Sequence, residues 1–278
     1  VGTAAVFGLS AGPDKGWFSG TAIGAGIVAL VGFVAFIVIE RTAKNPIVPL
    51  GLFFDRSRLA TFGAIFLARG VGLALTVVVV LYVQTVMGYT PLAAGVAFVP
   101  FAIALAIRTV VSSRLVTRFA PRAIIVAGAV LVFGATVHGS SISQGIPYFP
   151  DLVVPLAVGA FGLGMVNVPL GLSLIAGMDE DRIGPTSSVA VMVQSLGGPM
   201  VLVAIQAVIT ARTMSSGGHV PGREIGLEAF HDGYTFGLLW LGAIVVVLAG
   251  VALLIDYTAN EVAHAQQAKE AAEAAEFD

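Results

Sequence analysis

Apolar stretches of bilayer-spanning length alternate with short polar breaks along almost the whole chain. They cover residues 20 to 39, 60 to 87, 93 to 112, 122 to 142, 152 to 177, 186 to 211 and 234 to 255. A helix needs about 20 apolar residues to cross a hydrocarbon layer of ~30 Å, so the pattern predicts seven complete membrane helices. Ahead of them, "VGTAAVFGLSAGPDKGW" lacks a basic flank and reads as the last turns of a further span entering a Gly-Pro-Asp loop, not as a signal peptide. The chain is accordingly read as a fragment of a longer protein. The breaks "ERTAKNPIVPLGLFFDRSRL" (40 to 59), "GYTPLA" (88 to 93), "VTRFAPR" (116 to 122), "SQGIPYFPD" (143 to 151), "MDEDR" (178 to 182) and "SSGGHVPGREIGLEAFHDG" (215 to 233) hold most of the turn-forming residues between them.

Composition agrees with an all-α integral membrane protein. Only 11% of the 278 residues are charged and mean hydropathy is +0.97, against roughly 25% charged in a soluble domain. Most charged residues fall in the breaks and not in the spans, so the net charge of −2 says little about partners. There is no Cys, which excludes disulfides and thiolate metal sites, and His138, His219, His231 and His264 lack ligand spacing. No metal, cofactor or nucleic-acid partner is indicated. Neither HExxH, GxSxG nor a phosphate-cradling GxxxxGK occurs, and His231-Asp232, placed by the pattern in a loop, has no nucleophile beside it. An enzyme is therefore not expected.

Lys and Arg set the orientation, because loops that stay in the cytoplasm retain positive charge. Taken alternately, one set of loops holds Arg41, Lys44, Arg56, Arg58, Arg114, Arg118, Arg122, Arg182 and Lys269, and the other only Lys15, Arg212 and Arg223. That places residues 40 to 59 and the C-terminus in the cytoplasm of a multi-pass protein of the plasma (inner) membrane. The Ala-rich, acidic tail "NEVAHAQQAKEAAEAAEFD" reads as a short solubilising surface helix.

A charge near the bilayer centre is disfavoured by ~2.5 to 3.5 kcal/mol even on lenient scales, so each one asks for a reason. Arg69 lies too deep to reach the surface and is read as facing an inner cavity or a buried partner; Arg108, a turn from the basic boundary, is read as snorkelling. Phe62, Arg69, Thr76 and Gln84 fall on one helical stripe. Asn167 follows three glycines and precedes Pro169, and Gln194 precedes Gly197, Gly198 and Pro199, a hinge or a close-packing site. Pro100 can bend its helix. Phe66, Phe98, Phe101, Phe161 and Trp240 could stack on a planar or cationic drug. No Asp or Glu falls mid-membrane. This favours neutral or anionic cargo, with Arg69 available for a carboxylate or phosphate head.

"YVQTVMGYTPLAAGVAFVPFAIA" (82 to 104), "FVAFIVIERTAKNPIVPLGLFFDRSR" (33 to 58) and "SSRLVTRFAPR" (112 to 122) resemble the second half of the fourteen-span drug:proton antiporters of the major facilitator superfamily, the EmrB and QacA type. The segments "HDGYTFGLLW", "SLGGPMVLVAIQAVITART" and "DYTANEVAHAQQAKEA" narrow the resemblance to one efflux protein within it. The resemblance implies linker spans and a cytoplasmic loop over residues 1–59, a C-terminal six-helix bundle over 60–256 and a cytoplasmic tail over 257–278. It implies that an N-terminal half of the same transporter supplies the other cavity wall and the carboxylates that bind protons. It also aligns "SSRLVTRFAPR" with the superfamily's cytoplasmic gate motif, with Arg114, Arg118 and Arg122 kept, Thr117 at the usual Asp and Ala120 at the usual Gly. Without that acid, a simple positive-inside cluster is the better reading of the loop. The function implied is efflux of hydrophobic or amphiphilic small molecules by proton antiport. A lipid transporter of the same fold and, from another class, a non-transporting membrane sensor or scaffold are the alternatives.

Overall fold

Local chemistry starts and stops the helices where the polar breaks fall. In the computed structural model, which describes residues 19–42, 55–116, 118–145, 147–178, 180–217 and 226–262, α1 spans Gly20–Thr42 and α2 spans Arg56–Thr85. Asp55 caps α2 by accepting the Ser57 N–H at 2.9 Å. Gly88, at φ +72°, reverses the chain, and the Tyr89 N–H returns to the Val83 carbonyl at 3.2 Å. Thr90 then caps the next helix through Ala93 N at 3.3 Å, with Pro91 in the first helical position.

The second span is broken in two, α3 over Pro91–Ala97 and α4 over Val99–Val116. The break falls at Phe98, two residues before Pro100. Proline has no N–H for the Val96 carbonyl and disfavours helical geometry just before it, so α4 restarts with Pro100 in its first turn. The Tyr148 hydroxyl donates to the Ala97 carbonyl beside the break. Next come α5, Pro121–Ser140; a π-helical turn, Tyr148–Leu152, leading into α6, Val153–Ile175; α7, Glu180–Ser215; and α8, Leu227–Ala252. Six of these spans are long and apolar enough to cross a membrane, α3 and α4 together making one of them. The windows read from sequence recur within a few residues, except that α8 starts at Leu227 where the polar run to 233 had suggested a loop. His231 and Asp232 are thus helical, and His231 is buried.

Two triplets, α2 with α3/α4 and α5, then α6 with α7 and α8, interlock by exchange. The first helix of each triplet packs on the second and third of the other: α2 against α7 and α8, α6 against α4 and α5. The two first helices touch, as do the two third helices, the pattern of inverted repeats about a pseudo-twofold axis. The symmetry is incomplete, because α7 packs closely on α8 while α4 barely meets α5. Among the described residues α1 stands apart from this bundle and exposes Ile27, Val28, Leu30, Val31 and Val34, as a helix solvated by lipid would.

Small residues set the crossings. A Cβ on Gly128 would lie 2.6 Å from the Gly162 carbonyl oxygen, and a Cβ on Gly162 equally close to that of Gly128, so α5 and α6 cross backbone to backbone. At the α2–α7 crossing a Cβ on Gly70 would sit 2.8 Å from the Gly197 carbonyl oxygen. Lipid tails are as apolar as leucine, so helices in a bilayer adhere by such close contact and not by hydrophobic exclusion. Core side chains fill in around them: Val71, Leu75, Val78, Val132, Leu163, Ile205 and Leu241 in one cluster, Phe62, Ile125, Val166, Leu170 and Leu248 in another.

Arg56, Arg58, Arg114, Arg118, Arg122 and Arg182 all fall at one end of the bundle, the basic end, and Arg212 at the other. At the basic end the segment just after α8 is tied to the start of α2, since Asp256 N–H donates to Ser57 Oγ at 3.2 Å. The tail starts as a capping box: Thr258 N–H donates to Glu261 Oε2 at 2.8 Å and Glu261 N–H returns to Thr258 Oγ1 at 3.3 Å. Those bonds, the backbone one first, hold the Glu261 carboxyl below the ordinary carboxylate range. Val262 is buried against Val116, Ile124, Leu172 and Ala176, so the tail's first turn docks onto the bundle as well as extending from it. Lys15, Lys44, Thr117, His219, Arg223, His264, Lys269 and the rest of the tail lie outside the described residues.

Replacing Gly197 by Ala would drive a methyl into the Phe66 backbone, which cannot yield as a side chain can. The expected cost is ~1 to 3 kcal/mol, read as a lower melting temperature of the complete protein in detergent. Gly250→Ala, with nothing within 4 Å, should leave that temperature unchanged.

Candidate transport cleft

Where α2, α4, α6 and α7 converge, their crossings leave a cleft of ≈390 Å³ open on one side. α2 contributes Ala68, Arg69, Gly72, Leu73 and Thr76; α4 adds Phe101 and Arg108; α6 adds Leu163 and Asn167; α7 adds Gln194, Ser195, Gly198 and Pro199. Five of the cavity candidates read from sequence, Arg69, Thr76, Phe101, Asn167 and Gln194, therefore meet in one place, together with Gly198 and Pro199 of the expected hinge.

Arg69 lies ~20 Å along α2 from Arg56, near its middle, and is exposed into the cleft with no hydrogen bond or ion pair among the described residues. Thr76 Oγ1 donates to the Gly72 carbonyl at 2.8 Å and Asn167 Nδ2 to the Leu163 carbonyl at 2.7 Å, so each returns one bond to its own helix while lining the cleft. Pro199 has no N–H, which leaves the Ser195 carbonyl without its helical donor at the cleft edge. Helix α7 nonetheless runs unbroken through Gly197, Gly198 and Pro199, and Gly197 is taken up by the α2 crossing.

Arg108 corrects the snorkelling expectation. Its stem lies across Gly164, where an added Cβ would come within 2.7 Å of Arg108 Cβ, and its Nη1 donates to the Ala160 carbonyl at 3.0 Å. Helices α4 and α6 run in the same direction, so Ala160 lies farther from the basic end than Gly164 does. The guanidinium points into the bundle, away from the nearer surface. Chain direction carries the signal that was overlooked: helical side chains lean towards the N-terminus, which for α4 is the far end.

The other candidates sit elsewhere. Phe62, expected on the Arg69 stripe, is buried in the cluster with Val189, Ala190 and Leu248, so the stripe is closed on the basic side of Arg69. Phe66 presents its backbone to Gly197 and is half-buried beside the core. Phe98 packs edge-on against Phe101, with centroids 5.7 Å apart, at the cleft's flank. Gln84 and Phe161 are half-buried but do not line the cleft, and Trp240 is exposed beside Phe236 on α8. His231, which the sequence pattern placed in a loop, accepts or donates at Nδ1 to the Tyr82 hydroxyl at 3.1 Å, and the Tyr234 ring stands edge-on to that of Tyr82. At the basic end Arg122 meets Asp256 at 3.5 Å, an acid supplied by the end of α8 in place of the one absent at Thr117. Both partners are exposed, which limits such a pair to ~0 to 1 kcal/mol. Arg114 closes α4 and Arg118 is exposed in the following turn.

Six apolar spans interlocked around a polar hollow define a polytopic membrane protein of the transporter kind. The comparisons agree. The chain is 53% identical over 280 residues to the uncharacterized MFS-type transporter EfpA of Mycobacterium tuberculosis, covering 99% of this chain and 53% of that protein. It is 29% identical over 217 residues to the multidrug resistance protein Stp of the same organism, covering 75% and 38% of the two chains. With the multidrug transporter protein MdtP of Bacillus subtilis it shares 26% identity over 205 residues, 73% of this chain and 37% of that one. No family model matches the sequence. The chain belongs to the major facilitator superfamily, and the match to EfpA bears out the resemblance carried by residues 195–213, 231–240 and 256–271. It spans about half the length, 53%, of that relative.

This chain has no cysteine, so once any cysteine in the rest of the transporter is replaced by serine, single thiols report on the cleft without background. In the complete transporter Thr76→Cys and Asn167→Cys should react with a small neutral, water-soluble maleimide. Val71→Cys, fully buried on the opposite side of α2, should stay unlabelled.

Proposed function

We propose that this chain is the C-terminal bundle of a secondary active exporter of hydrophobic and amphiphilic small molecules, working by alternating access as a proton antiporter. The cleft carries the reading. A hollow of ≈390 Å³ lined by Arg69, Thr76, Phe101, Asn167 and Gln194 becomes a cargo chamber once a second bundle covers its open side. Relatives named for multidrug, quinolone and methylenomycin resistance support an efflux role. The cleft lining contains no carboxylate, so the groups that bind and release protons would come from the N-terminal half of the same transporter. Residues 1–59 would then be linker spans and loop, 60–256 the bundle and 257–278 the tail. The basic end and the C-terminus would face the cytoplasm across the plasma (inner) membrane. Arg114, Arg118 and Arg122, with Asp256 as acid, would steady the cytoplasmic gate, and Pro100 with Gly197, Gly198 and Pro199 would flex the cavity wall.

A lipid transporter of the same fold is the second reading, favoured by the apolar part of the lining, Leu73, Phe101 and Leu163. Flux measured in proteoliposomes of the complete transporter under an imposed proton gradient separates the possibilities. Saturable, gradient-dependent drug movement is expected, reduced about tenfold or more by Arg69→Ala at unchanged expression. Gradient-independent, unsaturable flux would contradict antiport. Movement of fluorescent lipid without drug would establish the lipid reading, and movement of neither would leave a sensor or scaffold.

A further inference from the structure

Both arginines that lie well inside the spans end in the same cleft, from different helices. Arg69 stands on α2 and Arg108 on α4. A guanidinium carries five N–H donors in a planar fork. One of Arg108's is used, on the Ala160 carbonyl at 3.0 Å, and Arg69 uses none on a described residue. Asn167 spends one N–H on Leu163 and keeps the other, and Gln194 brings a second amide.

Two like charges sharing ≈390 Å³ repel one another, and each is costly at this depth. No carboxylate lines the cleft to offset them. Arg108 is nevertheless held in place by construction, its stem seated on Gly164, where an added Cβ would collide with it. Sequence placed this residue at the membrane surface; the fold turns it inward to face the same space as Arg69.

The geometry points to an anion subsite: Arg69 and Arg108 together receive the single negative head of an amphiphilic cargo, a carboxylate, phosphate or sulfonate, while Leu73, Phe101 and Leu163 take its apolar body. Charge-assisted, fork-shaped bonds to such a head would satisfy donors that no described residue takes up. A cationic amphiphile of equal length would meet two positive charges and no acid in this half. The inference rests on the cleft being a cargo chamber, and it specifies the cargo's class.

Equilibrium binding tests it without requiring transport. The complete transporter is placed in phosphatidylcholine nanodiscs with 11-(dansylamino)undecanoate as fluorescent reporter. Displacement is compared for dodecyl phosphate, dodecanol and dodecyltrimethylammonium. Dodecyl phosphate is expected to displace the reporter at least tenfold more tightly than the cation. Arg108→Gln and Arg69→Gln should each weaken dodecyl phosphate about tenfold, leave dodecanol unchanged, and be partly rescued by Lys. Equal binding of anion and cation to the unmodified protein would overturn the inference, and that comparison needs no variant to fold. So would a variant that weakens anion and alcohol alike, the result expected if an acid from the rest of the protein already fills the space between the arginines. Repeating the titration in phosphatidylglycerol nanodiscs identifies the source: loss of reporter binding there means that a lipid head occupies the subsite, and unchanged binding means a free amphiphile does. If the transporter moves no drug yet keeps the anion preference, the efflux reading fails and the subsite stands.

Discussion

Helices in lipid gain nothing from hiding leucine, so their positions are set by how closely two backbones can approach, and here glycine decides that. Gly70 with Gly197 brings α2 onto α7, and Gly128 with Gly162 brings α5 onto α6, each at a separation that a single methyl would forbid. Everything else in the bundle follows from these crossings. With α2 pinned to α7 on one side and α6 pinned to α5 on the other, the faces of α2, α4, α6 and α7 that remain cannot close on one another. The hollow between them is what two tight crossings leave behind.

That geometry also explains which polar side chains the bilayer tolerates. Thr76 and Asn167 return one bond each to their own helix, and Arg108 caps a carbonyl of its neighbour, so each is partly satisfied before any cargo arrives. Arg69 and Gln194 make no such bond with a described residue, and Arg69 is exposed in the cleft. Outside the cleft, His231 is paired with Tyr82, whereas the buried hydroxyls of Ser112, Ser173, Thr186 and Thr213 find no partner among the described residues. Arg69, Arg108, Asn167 and Gln194, which lack full pairing, share the one cleft, while those four unpaired groups elsewhere are single small hydroxyls, which cost less to bury than a charge.

Much of this was legible beforehand because it is local. Gly88-Tyr-Thr-Pro91 announced a reversal, and the chain turns there at Gly88. The heptad spacing of Arg69 and Thr76 placed them on one face, and they share the cleft. What failed depended on neighbours. Phe62 lies on that same face of α2, yet α7 and α8 close over it, and a helical wheel holds no information on where a neighbouring helix ends. His231 looked like loop because polar residues opened α8, although a span's first turns sit where water still reaches. Arg108 was judged by its distance to the surface alone, when the direction of its helix and a glycine more than fifty residues away decided where it points.

The central claim is that the face bounded by Arg69, Phe101, Asn167 and Gln194 is one wall of the cargo chamber. A structure of the complete transporter with a transported compound bound tests this most directly. The account predicts density for the compound between the two halves, in contact with at least Arg69 and Asn167. Side chains from the other half packed into the cleft, with the compound bound against a different face of this bundle, would contradict it.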